Sequence, residues 1–198
     1  MKPRQIIALY SPWPQCGKST VAKRLVEAHG YLVSPLAHSI KEMLEDLLRS
    51  FMPSMEAKRR LWGDMKEEPI PQLGGLTARR LMQTLGTEWG RNLDPEFWLK
   101  VKDAQLGRLG PSNPVVVDDM RFPNEFEMLK KRGAVTVKVL RRGGPNYGTA
   151  HASEGALNEH VFDYVIPNYG GLTSLYAAVD DIALKIQDVA NSTPEQHY

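Results

Sequence analysis

Apolar residues fall along the chain in short runs separated by segments of helical spacing. Arg4 to Tyr10 is an apolar run bounded by Pro3 and by Ser11-Pro12, which predicts a buried strand. Ser19 to His29 places Val21, Leu25 and Ala28 at helical spacing, with Gly30 as the stop. Tyr31 to Ser34 predicts a weak second strand. Ile40, Met43, Leu44, Leu47 and Phe51 then form one helical face that ends at Pro53. Residues 53 to 76 are rich in turn formers, with a short helix near Ala57 to Trp62. Thr77 caps a helix reaching about Arg91, with Ala78, Leu81, Leu85 and Trp89 on its core face, and Pro95 opens another that runs to Arg108.

Three β-branched residues, Val115 to Val117, predict the clearest buried strand. Pro123 to Arg132 is helical and stops at Gly133, Ala134 to Leu140 is a fourth strand, and Asp163 to Ile166 a fifth. Leu172, Leu175, Tyr176, Val179, Ile182, Ala183 and Ile186 make the strongest amphipathic helix, followed by a polar, frayed tail over 191–198. Five strands alternating with helices predict an α/β fold, a parallel sheet covered on both faces. Such sheets bind ligands beyond the carboxyl ends of their strands.

Composition narrows the function classes. The chain has 198 residues, 42% hydrophobic and 24% charged, which suits one globular domain. No uninterrupted apolar run exceeds five residues, Ile6 to Tyr10 included, where a membrane span needs about twenty. The start has no signal-peptide pattern and the one cysteine, Cys16, has no internal partner, so a reducing cytoplasm is expected. A net charge of +2 disfavours a dedicated nucleic-acid binder.

The first strand is followed by Ser11-Pro12-Trp13-Pro14-Gln15-Cys16-Gly17-Lys18-Ser19-Thr20 and then at once by a helix. Gly-Lys-Ser between strand and helix is the core of a phosphate loop, whose backbone amides and helix N-terminus cradle nucleotide phosphates. Gln15, Cys16, Gly17, Lys18, Ser19 and Thr20 are the candidate ATP contacts. Lys18 would bridge the β- and γ-phosphates, and the Ser19 hydroxyl would ligate Mg²⁺. The usual glycine five places before Gly17 is Pro12 here, and prolines at 12 and 14 remove two N–H donors, so the loop takes a variant path.

The third strand runs into Asp118-Asp119-Met120-Arg121-Phe122-Pro123-Asn124-Glu125. Carboxylates at a strand end beside a phosphate loop can hold Mg²⁺, so Asp118 and Asp119 are the candidate metal ligands alongside Ser19. Arg121 suits phosphate oxygens near the same metal. Arg79, Gln83, Thr87 and Arg91 form a polar stripe on the helix from Thr77, and Gly86 leaves room for a ring to approach. Arg141 and Arg142 end the fourth strand and open a glycine-rich loop, Gly143 to Gly148, which suits a closing lid.

Four segments in order resemble one family. Thr77 to Arg91 (TARRLMQTLGTEWGR) is similar to the "TPR…LQ…LGTE…R" segment of the bacteriophage-type deoxynucleoside monophosphate kinases, a branch of the P-loop nucleoside monophosphate kinases. Val117 to Glu125 resembles that family's "D-x-R-F-x-N-E" motif, and His151-Ala152-Ser153-Glu154 its "H-x-S-E" segment. With the phosphate loop, the resemblance spans about residues 4 to 166. It implies a three-layer P-loop kinase sandwich with strand order 2-3-1-4-5, in one domain over 1–190 with an acceptor-binding helical insertion at about 38–110 and a lid at about 141–160. The implied reaction moves the γ-phosphoryl of ATP, with Mg²⁺, to a deoxynucleoside 5′-monophosphate.

On the matching positions, Lys18, Asp119, Arg121 and Arg142 would be catalytic and Arg141 would join the ATP contacts. Lys41, Arg79, Gln83, Trp89, His151, Ser153 and Glu154 would face the acceptor. The family's "F-A-D-P-L-K-E" segment reads Leu36-Ala37-His38-Ser39-Ile40-Lys41-Glu42 here, which keeps Lys41 but replaces the aspartate by His38. ATP and the monophosphate are the expected partners, with no nucleic acid, no membrane and a monomer or homodimer. Two other readings stay open from the residues. One is a P-loop kinase acting on a hydroxymethylated base in DNA, which the basic clusters Lys58-Arg59-Arg60 and Lys130-Lys131-Arg132 allow. The other is a non-catalytic nucleotide switch.

Overall fold

In the computed structural model, which describes residues 5–109, 113–142 and 155–192, the elements follow one another as β1 (Ile6–Tyr10), α1 (Lys18–His29), β2 (Leu32–Val33), α2 (His38–Arg49) and α3 (Ser54–Leu61). A hairpin of β3 (Pro69–Ile70) and β4 (Leu76–Thr77) encloses a 3₁₀ turn. Then come α4 (Ala78–Gln83), a π-helix (Thr84–Arg91), α5 (Phe97–Arg108), β5 (Val115–Val117), α6 (Pro123–Lys131), β6 (Val135–Leu140), β7 (Tyr164–Pro167) and α7 (Leu172–Ser192). The chain divides into two compact units, Met1–Pro35 with Leu106–Tyr198, and Leu36–Gln105.

The first unit holds a five-stranded sheet in the order β2-β5-β1-β6-β7, every neighbouring pair parallel. Counted along the chain as five strands, this is the expected order 2-3-1-4-5. β1 lies at the centre and all five of its residues are buried. That explains why Ile6 to Tyr10 is apolar throughout rather than alternating. Ile7, Leu9, Val116, Val137, Val139 and Ile166 point to one face, where they pack with Val21, Ala22 and Leu25 of α1 and with Leu175, Val179, Ile182 and Ile186 of α7. On the other face Phe126 of α6 meets Phe162 edge-on at 5.5 Å, and Phe162 stacks on Tyr10 at 5.3 Å.

α1 and α7 are also pinned at their polar edges. Arg24 donates to both carboxylate oxygens of Asp180, at 2.9 and 2.6 Å, and His29 Nε2 lies 2.8 Å from the same carboxylate. The Arg24 hydrogen bonds, then that of His29, pull the Asp180 carboxyl down to about 2. The helix that begins at the phosphate loop is thereby fixed against α7.

The second unit has its own core of Ile40, Leu44, Leu48, Met52, Ala57, Leu61, Ile70, Ala78 and Trp98. Only the i, i+4, i+8 stripe of α2 is buried. Met43 and Leu47, expected on the same face, are about half exposed. A helix meeting its neighbours along one narrow contact buries a single row of side chains, not the full apolar arc. Arg60 is buried because its guanidinium binds Glu56 and the carbonyls of Glu68 and Pro69, tying α3 to the hairpin. The hairpin itself is absent from the sequence reading, since each strand has two residues and Gly74 and Gly75, both at positive φ, read as loop.

The helix from Thr77 differs most from expectation. Thr77 does cap it, its Oγ1 accepting from the Arg80 N–H at 3.2 Å. After Gln83 the chain widens into the π-helix. The Trp98 indole N–H donates to the Gly86 carbonyl at 2.9 Å, and the Trp98 ring occupies the space where a Gly90 Cβ would stand. So the ring comes in over Gly90, while Gly86 supplies the acceptor. The change of pitch rotates Trp89 off the core face, and it is 44% exposed.

Candidate active site

The phosphate loop connects β1 to α1 at the carboxyl edge of the sheet. Gly17 is the N-cap of α1 and takes φ +105°, a conformation that favours glycine. Lys18 Nζ donates to Ser11 Oγ at 2.5 Å, and that hydroxyl donates on to the Trp13 carbonyl at 2.9 Å. The ammonium is thus held by the loop's own first residue. Desolvation keeps it below the ordinary lysine range, Arg121 pushes the same way, and Asp119 and Asp118 oppose them. The end of β5 is near enough for its charges to act on Lys18, as β5 pairs directly with β1 and sets Val117 beside Ala8. Cys16 is 1% exposed and packs in the core, the behaviour of a small residue that fits.

A cavity of about 370 Å³ opens at this loop, lined by Gln15 to Thr20 together with Arg141, Asn168, Gly170 and Leu172. Its volume lies within the usual range of small-molecule sites, roughly 300–1,000 Å³. Arg141 Nη1 donates to the Gln15 carbonyl at 3.2 Å, while the Arg142 guanidinium sits 5.0 Å over the Tyr169 ring. The oxygen donors here suit Mg²⁺, which takes a few hydroxyl and carboxylate ligands and completes its shell with phosphate and water. Ser19 is exposed at the loop, and Asp118 and Asp119 are close enough to act on Lys18. Among the described residues no group of three or more His, Cys, Asp or Glu forms a closed metal cage.

The turn after β5 is built by Glu125. Its carboxylate accepts from the N–H of Arg121 at 2.7 Å and of Phe122 at 3.0 Å, so the last residue of the motif caps α6 and sets the backbone that carries Arg121. Glu125 is 5% exposed. The sequence reading gave it no role.

Within the second unit, Lys41 Nζ lies 4.5 Å over the Trp62 ring, whose N–H donates to Glu45 at 2.9 Å. His38 meets the same ring edge-on, its Nε2 is 3.2 Å from Glu42, and its buried Nδ1 has no partner among the described residues. The Arg79 Nε donates to the Glu67 carboxylate, and its backbone N–H to the Lys66 carbonyl at 3.0 Å. Gln83 is exposed. His151, Ser153 and Glu154 lie outside the described residues.

A model of the deoxynucleotide monophosphate kinase family matches residues 65–179, more than half of the chain. The chain belongs to that family. A protein of Acanthamoeba polyphaga mimivirus, provisionally named deoxynucleotide monophosphate kinase, is 28% identical over 179 residues, covering 82% of this chain and 88% of its own. The deoxynucleoside-5′-monophosphate kinase of Escherichia phage T5 is 31% identical over 83 residues, 41% of this chain and 32% of that one. The family match over residues 65–179 includes Arg79, Asp119, Arg121 and Glu125. Asn168 is a cavity residue that the sequence reading missed. It follows β7, its N–H donates to the Leu140 carbonyl at 2.6 Å, and its side chain donates to the Cys16 carbonyl at 3.0 Å. No local pattern marks it.

Proposed function

We propose that the kinase transfers the γ-phosphoryl group of ATP to a deoxynucleoside 5′-monophosphate. An oxygen of the acceptor phosphate bonds to the γ-phosphorus as the bond to the β-phosphate oxygen breaks, leaving ADP and a deoxynucleoside diphosphate. The observation that carries this reading is Lys18, desolvated at the mouth of a phosphate-loop cavity and acted on by Asp118, Asp119 and Arg121. Phosphoryl transfer needs positioning and charge stabilisation more than covalent help, and this group supplies both.

In this reading Lys18 bridges the β- and γ-phosphates, and the amides of Gln15 to Thr20 hold them. Ser19 and Asp119, with Asp118, would hold Mg²⁺, which when bound neutralises charge on the phosphate oxygens. Arg121 serves the junction of the two nucleotides, and Arg141 and Arg142 belong to a lid over about 141–160. Lys41, Arg79, Gln83 and Trp89, within a helical insertion of one kinase domain, and His151, Ser153 and Glu154, within the lid range, are proposed for the acceptor. The enzyme would work as a monomer or homodimer in the cytoplasm, that of the host if its source is a bacteriophage. No helix among the described residues is long and apolar enough to cross a membrane.

The test is ADP release from Mg-ATP with each deoxynucleoside monophosphate in turn, alongside hydroxymethylated DNA. Turnover with one or more free monophosphates is expected. Turnover with DNA alone, or ATP binding with no transfer to any acceptor, would overturn the proposal.

A further inference from the structure

The phosphate loop has prolines at 12 and 14 and no glycine at 12, yet its remaining amides are held in place from outside. Arg141, just past β6, donates to the Gln15 carbonyl, and Asn168, just past β7, donates to the Cys16 carbonyl. Asn168 is itself anchored through its N–H to Leu140 at the end of β6. A trans peptide is planar, so the carbonyl of one residue and the N–H of the next point to opposite sides. Gripping the carbonyls of Gln15 and Cys16 therefore turns the N–H groups of Cys16 and Gly17 the other way. No backbone hydrogen bond between described residues, outside the helices and strands, uses the amides of Gln15, Cys16 or Gly17.

The backbone conformation agrees. Gln15, at φ 61°, is the non-glycine residue with positive φ among those described, and Gly17 follows at φ 105°. Residues of alternating hand present successive N–H groups to one concave side, which is an anion nest. A side chain at Gln15 disfavours its conformation, and Arg141 bonds the carbonyl of that same residue. A side chain at Gly17 would be strained by its φ, and its Cβ would stand 2.6 Å from Asn168 Nδ2, displacing the amide that holds the Cys16 carbonyl.

We infer that Asn168, together with Arg141, is a positioning residue for the phosphoryl donor, clamping the loop carbonyls so that the Cys16 and Gly17 amides face the donor's phosphates. The clamp makes up for donors lost at Pro12 and Pro14. It rests on the reading of this loop as the ATP site, and the experiment separates the two. Mg-tripolyphosphate and Mg-ATP binding are measured by calorimetry for the wild type, Asn168→Ala, the isosteric Asn168→Asp and Arg141→Met. Donor and acceptor KM and the ligand-free thermal midpoint are recorded for each.

Asn168→Ala should weaken tripolyphosphate and ATP alike by about tenfold, the loss of one hydrogen bond's worth of organisation, with the acceptor KM unmoved. Asn168→Asp, which cannot donate, should weaken both further. Loss of ATP affinity with tripolyphosphate untouched would make Asn168 a base contact and overturn the clamp. Unchanged affinity for both in folded Asn168→Ala would overturn it as well. Should both Asn168 variants unfold, unchanged tripolyphosphate affinity in Arg141→Met overturns it instead. A wild type that binds neither probe overturns the phosphate-loop reading itself.

Discussion

The phosphate loop and the segment proposed for the acceptor treat their charged side chains differently. In the first unit each key group is held by a neighbour that leaves it oriented: Lys18 by Ser11, the loop carbonyls by Arg141 and Asn168, the Arg121 backbone by Glu125. In the second, Arg79 is neutralised by Glu67, Lys41 lies on Trp62, and Gln83 and Trp89 are exposed. The loop proposed for the donor is held by its own supports, while the cations proposed for the acceptor are engaged with residues of their own unit. Preorganisation lowers the ordering cost of binding, so donor affinity should depend on the loop's supports, whereas acceptor affinity should respond to what competes for its cations.

The largest effect should come from the group that the first site exists to hold. Lys18→Ala removes a desolvated charge from the proposed phosphate site and should lower kcat about a hundred- to a thousandfold. Its thermal midpoint should stay near that of the wild type, because among the described residues the ammonium's hydrogen bond is to a loop hydroxyl. Near-normal turnover in a folded variant would remove the contrast between the two sites altogether.

Glu125→Ala comes next. It strips two N–H groups of their buried acceptor and should destabilise the protein by about 0.5–2 kcal/mol, read by thermal unfolding. Because those amides carry Arg121, kcat should also fall more than the donor KM rises. Glu125→Gln keeps an accepting oxygen and should recover most of the turnover. If Gln were as slow as Ala, the carboxylate would have a task beyond setting the backbone.

These two residues also show where the sequence speaks and where it is silent. The sheet is legible because β1 and β5 are buried on both faces and read as unbroken apolar runs, and the loop is legible because Gly17-Lys18-Ser19 is local. Glu125 sits inside a motif, yet its work on the backbone of Arg121 appears only in three dimensions. Asn168 lies 152 residues from the carbonyl it holds, a distance no local pattern spans. The π-helix hid for another reason. Within it the Gly86 carbonyl accepts from Trp98 of another helix, a partner that propensity and spacing over Thr77 to Arg91 do not show, so the segment reads as α-helix and puts Trp89 on the wrong face.

Arg79 tests the other half of the comparison. Glu67→Gln frees the guanidinium from an exposed pair and should lower the acceptor KM roughly two- to fivefold, the range such surface pairs are worth, with the donor KM unchanged. Arg79→Ala should raise the acceptor KM. If Glu67→Gln raised it instead, Glu67 would be placing Arg79 rather than competing for it, and the second site would count as organised too.

The smallest effect should appear in the anchor behind the loop. Asp180 is held by Arg24 and His29 of α1, and its carboxyl lies near 2 when folded, against about 3.9 for a free aspartate. A depressed carboxyl contributes its full stabilisation above the unfolded value and loses it as pH falls toward the folded one. Unfolding midpoints measured between roughly pH 4 and 2 should therefore fall faster in the wild type than in Asp180→Asn. The gap should be modest, since the carboxylate is partly exposed and salt screens it. Parallel curves would mean that apolar packing of α1 on α7 fixes the start of the phosphate loop unaided, and that its preorganisation owes nothing to this ion pair.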